Sequence, residues 1–165
     1  MLNSKVEKAL NNQIRKEFYS SYLYLSMAAQ LESMNLKEFA HWMQIQASEE
    51  TKHGMKIYKH VHDRGGKVTL QPIDAPPPSW KSAKEIFTKA YQHEQQVTES
   101  IDNIVHLARA TKDNATEVFL QWFVNEQVEE EATANEILQK LQLIGDSTPG
   151  LVMLNGELHK RSASS

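Results

Sequence analysis

The stretch Glu49-Glu50-Thr51-Lys52-His53 lies midway through a proline-free segment, Leu36 to Arg64, in which Phe39, Met43, Gln46, Glu50, His53, Ile57 and Val61 recur at steps of three and four. That spacing predicts one face of a long helix, with Glu50 and His53 on the buried side. The same interruption recurs in three other segments. Val6, Leu10, Ile14, Glu17, Ser21, Tyr24, Ala28 and Leu31 make a stripe over Ser4 to Met34. Phe87, Ala90, Glu94, Val97, Ile101, Ile104 and Ala108 make another after Ser82, and Phe119, Phe123, Glu126 or Gln127, Glu130, Ala134, Ile137 and Leu141 a fourth after Asn114. A buried, unpaired carboxylate costs several kcal/mol, and no Lys or Arg stands in these stripes to neutralise Glu17, Glu50, Glu94 and Glu130. A pair of divalent metal ions would, and His53, three residues after Glu50, adds a nitrogen ligand on the same face.

Punctuation between the segments sets the topology. All prolines fall in two places, Pro72 to Pro78 and Pro149. Ser4 with Glu7, Asn35 with Glu38, Ser82 with Glu85 and Asn114 with Glu117 repeat the capping-box spacing, and Gly65-Gly66 is a stop signal. Short links near Asn35 and at Lys112 to Ala115 predict two antiparallel helix pairs. The 17-residue link from Gly65 to Lys81 reaches ~50 Å when extended, enough to cross the length of a bundle. The expected fold is all-α: a four-helix bundle over about 4–145 with a long crossover between helices two and three. Thr148 before Pro149 starts a short fifth helix, about 149–160, whose apolar residues need a partner, such as another subunit. The whole of 1–165 reads as a single domain.

Composition narrows the function. The chain has no cysteine, which excludes thiol catalysis, iron–sulfur ligation and rubredoxin-type iron. A net charge of −3 provides no field for nucleic acid. Neither a leader at the N-terminus nor an apolar run of membrane-spanning length is present, so the sequence reads as soluble, unexported and cytoplasmic, with no membrane partner. Phosphate loops and G-x-S-x-G nucleophile motifs are absent.

Oxygen-rich ligation with one imidazole suits iron or manganese better than structural zinc. Glu126, Glu129, Glu130 and Glu131 form an acidic cluster that reads either as a solvated face or, with Glu49, as a third, more exposed metal position. Gln127 is placed to hydrogen-bond metal-bound oxygen, and Tyr24 reads as a core tyrosine or as an electron donor beside the site. The remaining histidines, His41, His60, His62, His93, His106 and His159, are expected at the surface or in caps, and Trp42, Trp80 and Trp122 in packing. Asp113 and Glu117 sit at a turn that reads as a cap and solvated loop or as a channel lining.

Taken together, Arg15 to Tyr24, Glu49-Glu50-Thr-Lys-His53, Tyr91-Gln-His-Glu94 and Phe119 to Glu130 resemble the prokaryotic non-haem ferritins over almost the whole chain. The resemblance implies a ferritin-like bundle, with iron bound by Glu17, Glu50 and His53 at one site and by Glu50, Glu94 and Glu130, near Gln127, at a second. Glu49, Glu126, Glu129 and Glu130 match the accessory third iron site of such proteins. It further implies a homo-oligomeric shell of 24 subunits, oxidation of ferrous iron by oxygen or hydrogen peroxide, and ferric mineral in the cavity, with the fifth helix near the fourfold axes. Haem is not expected, because Thr133 and Thr51 stand where haem-binding bacterioferritins carry a histidine and a haem-ligating methionine. The absence of cysteine separates the chain from rubrerythrins. The dodecameric miniature ferritins lack this set of ligands inside the bundle.

The expected reaction is ferroxidase chemistry, in which hard anionic carboxylates favour Fe³⁺ over Fe²⁺ and an oxygen or peroxide oxidant sits between two irons. Two rivals use the same ligands: a di-iron oxygenase acting on an organic substrate, and a metal-binding bundle with no catalysis.

Overall fold

The computed structural model describes residues 1–160. Four long helices, α1 (Ser4–Ser33), α2 (Lys37–Asp63), α3 (Ala83–Ala110) and α4 (Asn114–Ile144), are followed by a short α5 (Thr148–Glu157) and a 3₁₀ turn over Leu158–Lys160. Three-residue links join α1 to α2 and α3 to α4. Each link turns through a left-handed residue, Asn35 (φ 59°) and Lys112 (φ 56°). Asparagine tolerates that conformation well; lysine does so at a cost of about 1 kcal/mol.

The helix starts differ in detail from the capping pattern. Only Ser82 caps as expected, its Oγ accepting from the Glu85 amide at 3.1 Å. Asn3 rather than Ser4 caps α1, Asp113 rather than Asn114 caps α4, and Ser147 rather than Thr148 caps α5. Asn35 caps nothing from its left-handed position, and Leu36, at the N-cap of α2, offers no side-chain acceptor. Asn155 on α5 supplies the missing acceptor, taking the Phe39 amide hydrogen at 3.1 Å. Leu154 is buried beside it, so α5 closes the end of the bundle where α2 starts and α4 stops.

The crossover runs along α1. Lys67 and Thr69 bond Asn11, the Ser26 hydroxyl donates to the Pro77 carbonyl, and the Trp80 amide donates to Gln30. Nineteen residues of helix separate Asn11 from Gln30, about 28 Å at 1.5 Å per residue. The crossover therefore spans most of the bundle and delivers α3 antiparallel to α1.

The core is split. One apolar cluster, with Phe39, Met43, Phe87 and Leu141, fills one end, and a second, with Leu10, Ile14, Val61 and Ile101, fills the other. Between them lies a polar layer of Glu17, Glu50, His53, Glu94, Gln127 and Glu130, all buried. The stripes of α2 and α3 are buried at every expected position; on α1, Ser20 takes the buried place expected of Ser21.

Candidate metal centre

Each of the four long helices contributes to the polar layer because a carboxylate replaces an apolar residue at the same height in its stripe. Glu17, Glu50 and Glu94 are 1–2% exposed and Glu130 is 7% exposed. Their ligand atoms converge in three groups, Glu17–Glu50–His53, Glu50–Glu94–Glu130 and His53–Glu126–Glu130, each with its atoms within 4.8 Å of one another. Glu50 belongs to the first two groups and links them. The His53 Nδ1 lies 3.6 Å from Glu50 Oε2 and 4.0 Å from Glu17 Oε2, while its Nε2 lies 3.8 Å from Glu126 Oε1.

Every inner carboxylate except Glu50 is steadied by a neutral donor. Gln13 Nε2 donates to Glu17 at 2.7 Å, and Ser100 in turn donates to Gln13 at 2.6 Å. Tyr24 donates its hydroxyl to Glu94, Gln127 donates to the same carboxylate at 3.1 Å, and Gln46 donates to Glu130. Glu17 Oε2 and Glu50 Oε1 are left buried without any donor. An orphaned buried acceptor costs about 1–3 kcal/mol, more when charged, so both atoms fit the role of metal ligands.

Electrostatics reinforce this reading. Burial, then Glu94, Glu17 and Glu130, push the Glu50 carboxyl well above the ordinary glutamate range. Burial raises Glu94 to about 7 despite the bonds from Tyr24 and Gln127, and raises Glu130, with help from Glu94, to about 8. Burial and the same carboxylates push Tyr24 upward as well, so it stays a neutral donor. The protein alone cannot hold these carboxyls ionised together at neutral pH; an added cation would.

An open pocket of about 450 Å³ leads to this layer from the α2–α4 side, lined by Glu49, Lys52, His53, Met55, Lys56, Trp122 and Glu126. Glu126 is part-buried at its inner end, its carboxyl raised by burial and by Glu129 and Glu49 against the pull of His53 and Lys56. Glu129 is exposed and lies outside the three ligand groups. On α4 the choice between Glu126 and Gln127 resolves with Gln127 in the core and Glu126 at the rim.

Several placements differ from expectation. Trp122 is 38% exposed and sets its ring edge-on to His53, with centroids 5.3 Å apart, as a pocket wall rather than a core side chain. His93 is part-buried, lining a pocket, rather than a free surface or capping residue: it bonds the Ser20 hydroxyl at 2.7 Å and packs against Tyr19 and Tyr24, and burial lowers its imidazole to about 4. His60 stacks flat on Phe119, ring centroids 3.9 Å apart. Asp113 and Glu117 are both engaged within the chain, Asp113 by Arg64 at 2.7 Å and Glu117 by Arg109 at 2.5 Å. Gln46 stands at a predicted stripe position of α2, but its bond to Glu130 on α4 has no sequence signal; Gln13, the donor to Glu17, lies outside the stripe read for α1, and only its place one turn before Glu17 marks a shared face.

Fold and site together define a four-helix bundle with a carboxylate-and-histidine centre in its core. The ferritin-like domain family model matches residues 7–144, and the chain belongs to the ferritin family. It is 40% identical over 161 residues to a bacterial non-heme ferritin of Bacteroides fragilis, covering 98% of this chain and 100% of that one. To a bacterial non-heme ferritin of Staphylococcus aureus it is 37% identical over 162 residues, 98% of each chain. Among solved structures, an open pore ferritin from the hyperthermophilic archaeon Archaeoglobus fulgidus superposes with a TM-score of 0.97 at 46% identity, covering 98% of this chain and 100% of that one.

Proposed function

We propose that this chain is the subunit of an iron-storing shell that oxidises its own ferrous cargo. The observation that carries the proposal is Glu50, buried, short of donors and shared by two adjoining ligand groups. In this reading one Fe²⁺ is held by Glu17, Glu50 and His53, and a second by Glu50, Glu94 and Glu130. Each ferrous ion gives up one electron. Dioxygen takes both electrons with two protons and leaves as hydrogen peroxide; with peroxide as oxidant, the same electrons and protons yield two waters.

The chain's own groups prepare that step. Binding of the cations displaces protons from Glu94 and Glu130, whose carboxyls sit at about 7 and about 8. Gln13, Gln46 and Tyr24 fix carboxylate orientation through neutral hydrogen bonds, so the ligands do not need to reorganise when the charge on the metal rises. Gln127 donates beside Glu94 and faces the second position. Glu126, with Glu49, Glu129 and Glu130, offers a third, outer position through which iron passes between the pair and the pocket. The ferric product is stored as mineral inside a cytoplasmic 24-subunit shell, the assembly that membership of this family supports.

The test is anaerobic Fe²⁺ loading of metal-free protein, then oxygen, following ferric absorbance and particle mass together. Rapid oxidation of about two irons per chain, then accumulation of far more iron in a cage-sized particle, is expected. Oxidation that stops at two irons in a small oligomer would favour an oxygenase, and metal binding without oxygen uptake a passive bundle. In Glu50→Ala the fast phase disappears while the shell stays folded; an unchanged fast phase would overturn the assignment.

A further inference from the structure

Lys56 stands one turn beyond His53 on α2 and lines the same pocket as Glu49 and Glu126. Its Nζ lies 3.9 Å from the centre of the Trp122 ring. The same indole meets His53 edge-on, and His53 turns its Nε2 towards Glu126 Oε1 at 3.8 Å. A positive charge is therefore held, through an aromatic surface, beside the outer ligand atoms. An ammonium on an accessible indole face is attracted by only about 0.5–1 kcal/mol, so the arrangement is a reversible one.

His53 is the ligand that separates inner and outer positions. Its Nδ1 serves the Glu17–Glu50 group deep in the bundle, where exposure is 1% for both carboxylates, and its Nε2 faces the pocket. An imidazole that holds the inner ion through Nδ1 carries its proton on Nε2, so an outer divalent ion would be held by carboxylates such as Glu126 and Glu130 on the Lys56 side of the ring; the inner ions lie behind it. Charge repulsion from Lys56 acts most strongly on the outer ion, through a partly hydrated pocket, and less on ions embedded among four carboxylates.

We propose that Lys56, positioned by Trp122, is the residue that sets how tightly the outer metal position binds, weakening it so that the inner pair fills first and the third ion is held only in passing. The inference rests on the metal centre proposed above. It makes Lys56 a positioning residue for cargo rather than a ligand, and makes its charge the determinant.

The experiment is equilibrium binding of Zn²⁺, which is redox-inert, to the metal-free assembled protein, comparing wild type, Lys56→Gln, Lys56→Arg and Lys56→Gln with Glu126→Ala. Wild type is expected to bind two Zn²⁺ per chain tightly and a third weakly. Lys56→Gln should tighten the third about tenfold without changing the first two, and the gain should shrink as salt rises. Lys56→Arg should match wild type, and adding Glu126→Ala should cancel the gain. Equal third-ion affinity in wild type and Lys56→Gln overturns the inference, as does Lys56→Arg behaving like Lys56→Gln, or a gain that survives Glu126→Ala. Absence of two tight ions in every variant overturns the metal centre itself, and the inference with it.

Discussion

Tyr24 on α1 donates a hydrogen bond from its hydroxyl to Glu94 on α3 across the middle of the bundle, with both side chains almost wholly shielded from solvent. The bond favours the ionised carboxylate and so opposes the burial that raises Glu94 to about 7. Tyr24→Phe keeps the ring and removes the donor. Glu94 then holds its proton more firmly, and Zn²⁺ binding at pH 7 should release more protons than in wild type, by a few tenths per chain. Calorimetry in buffers of different ionisation enthalpy measures that release; equal release in both proteins would show that the bond does not tune Glu94.

The metal-free protein should lose stability as pH rises. Glu50, Glu94 and Glu130 all have folded-state carboxyls above the unfolded value of about 4.3. Groups raised in this way bind extra protons in the folded state, so their contribution is fully present below about pH 4.3 and is lost as pH climbs through about 7 and about 8. Unfolding of metal-free protein at fixed concentration should therefore show a falling midpoint between pH 5.5 and 8.5. Zn²⁺ should abolish most of that fall, and Glu50→Gln should raise the midpoint at pH 8. A midpoint that rises over this window in the metal-free protein would contradict the electrostatic account.

At the other end of the bundle the sign is opposite. Against the upward push of burial, hydrogen bonds from Arg64 and Thr116 hold Asp113 below the usual aspartate range. That contribution is present above the unfolded value of about 3.9 and is lost as pH falls through the folded one. Asp113 also caps α4 through the Thr116 amide at 3.2 Å. Asp113→Ala should cost about 1–2 kcal/mol, the value of a cap plus a stranded guanidinium contact. Urea unfolding at pH 7 gives the figure, and a loss below a few tenths would mean that Arg64 and the helix end find water equally good.

The glutamates were legible because helical periodicity is a strict ruler: a charge at a stripe position is buried whatever surrounds it. Glu17, Glu50, Glu94 and Glu130 therefore come together as the spacing requires. The caps were less legible because Asn3 and Ser4, or Asp113 and Asn114, are adjacent residues of similar capping power, and only the backbone entering the helix selects one. Asn35 shows the same ambiguity differently, since a residue good at capping is also good in the left-handed conformation. The bond from Gln46 to Glu130 and the packing of His93 against Tyr19, Ser20 and Tyr24 depend on which helices become neighbours. No local pattern encodes that adjacency; it follows from the crossover.

Gly54 occupies the middle of α2, where glycine costs about 1 kcal/mol relative to alanine. The structure supplies the reason: a Cβ there would lie 3.0 Å from Phe18 Cε1 and 3.3 Å from two further atoms of the ring. Phe18 follows Glu17 and Gly54 follows His53, so this close approach sets the spacing of α1 and α2 at the level of the metal centre. Gly54→Ala gains helix propensity but crowds Phe18, and a net change within about 1 kcal/mol is expected. Gly54→Leu cannot be absorbed by the ring and should push the helices apart, drawing Glu17 from His53, whose ligand atoms stand 4.0 Å apart. Zn²⁺ affinity for the inner pair should fall at least about tenfold, as for other supports of ligand geometry, with helix content by circular dichroism unchanged. Full affinity in folded Gly54→Leu would show that the close approach packs the bundle without positioning its ligands.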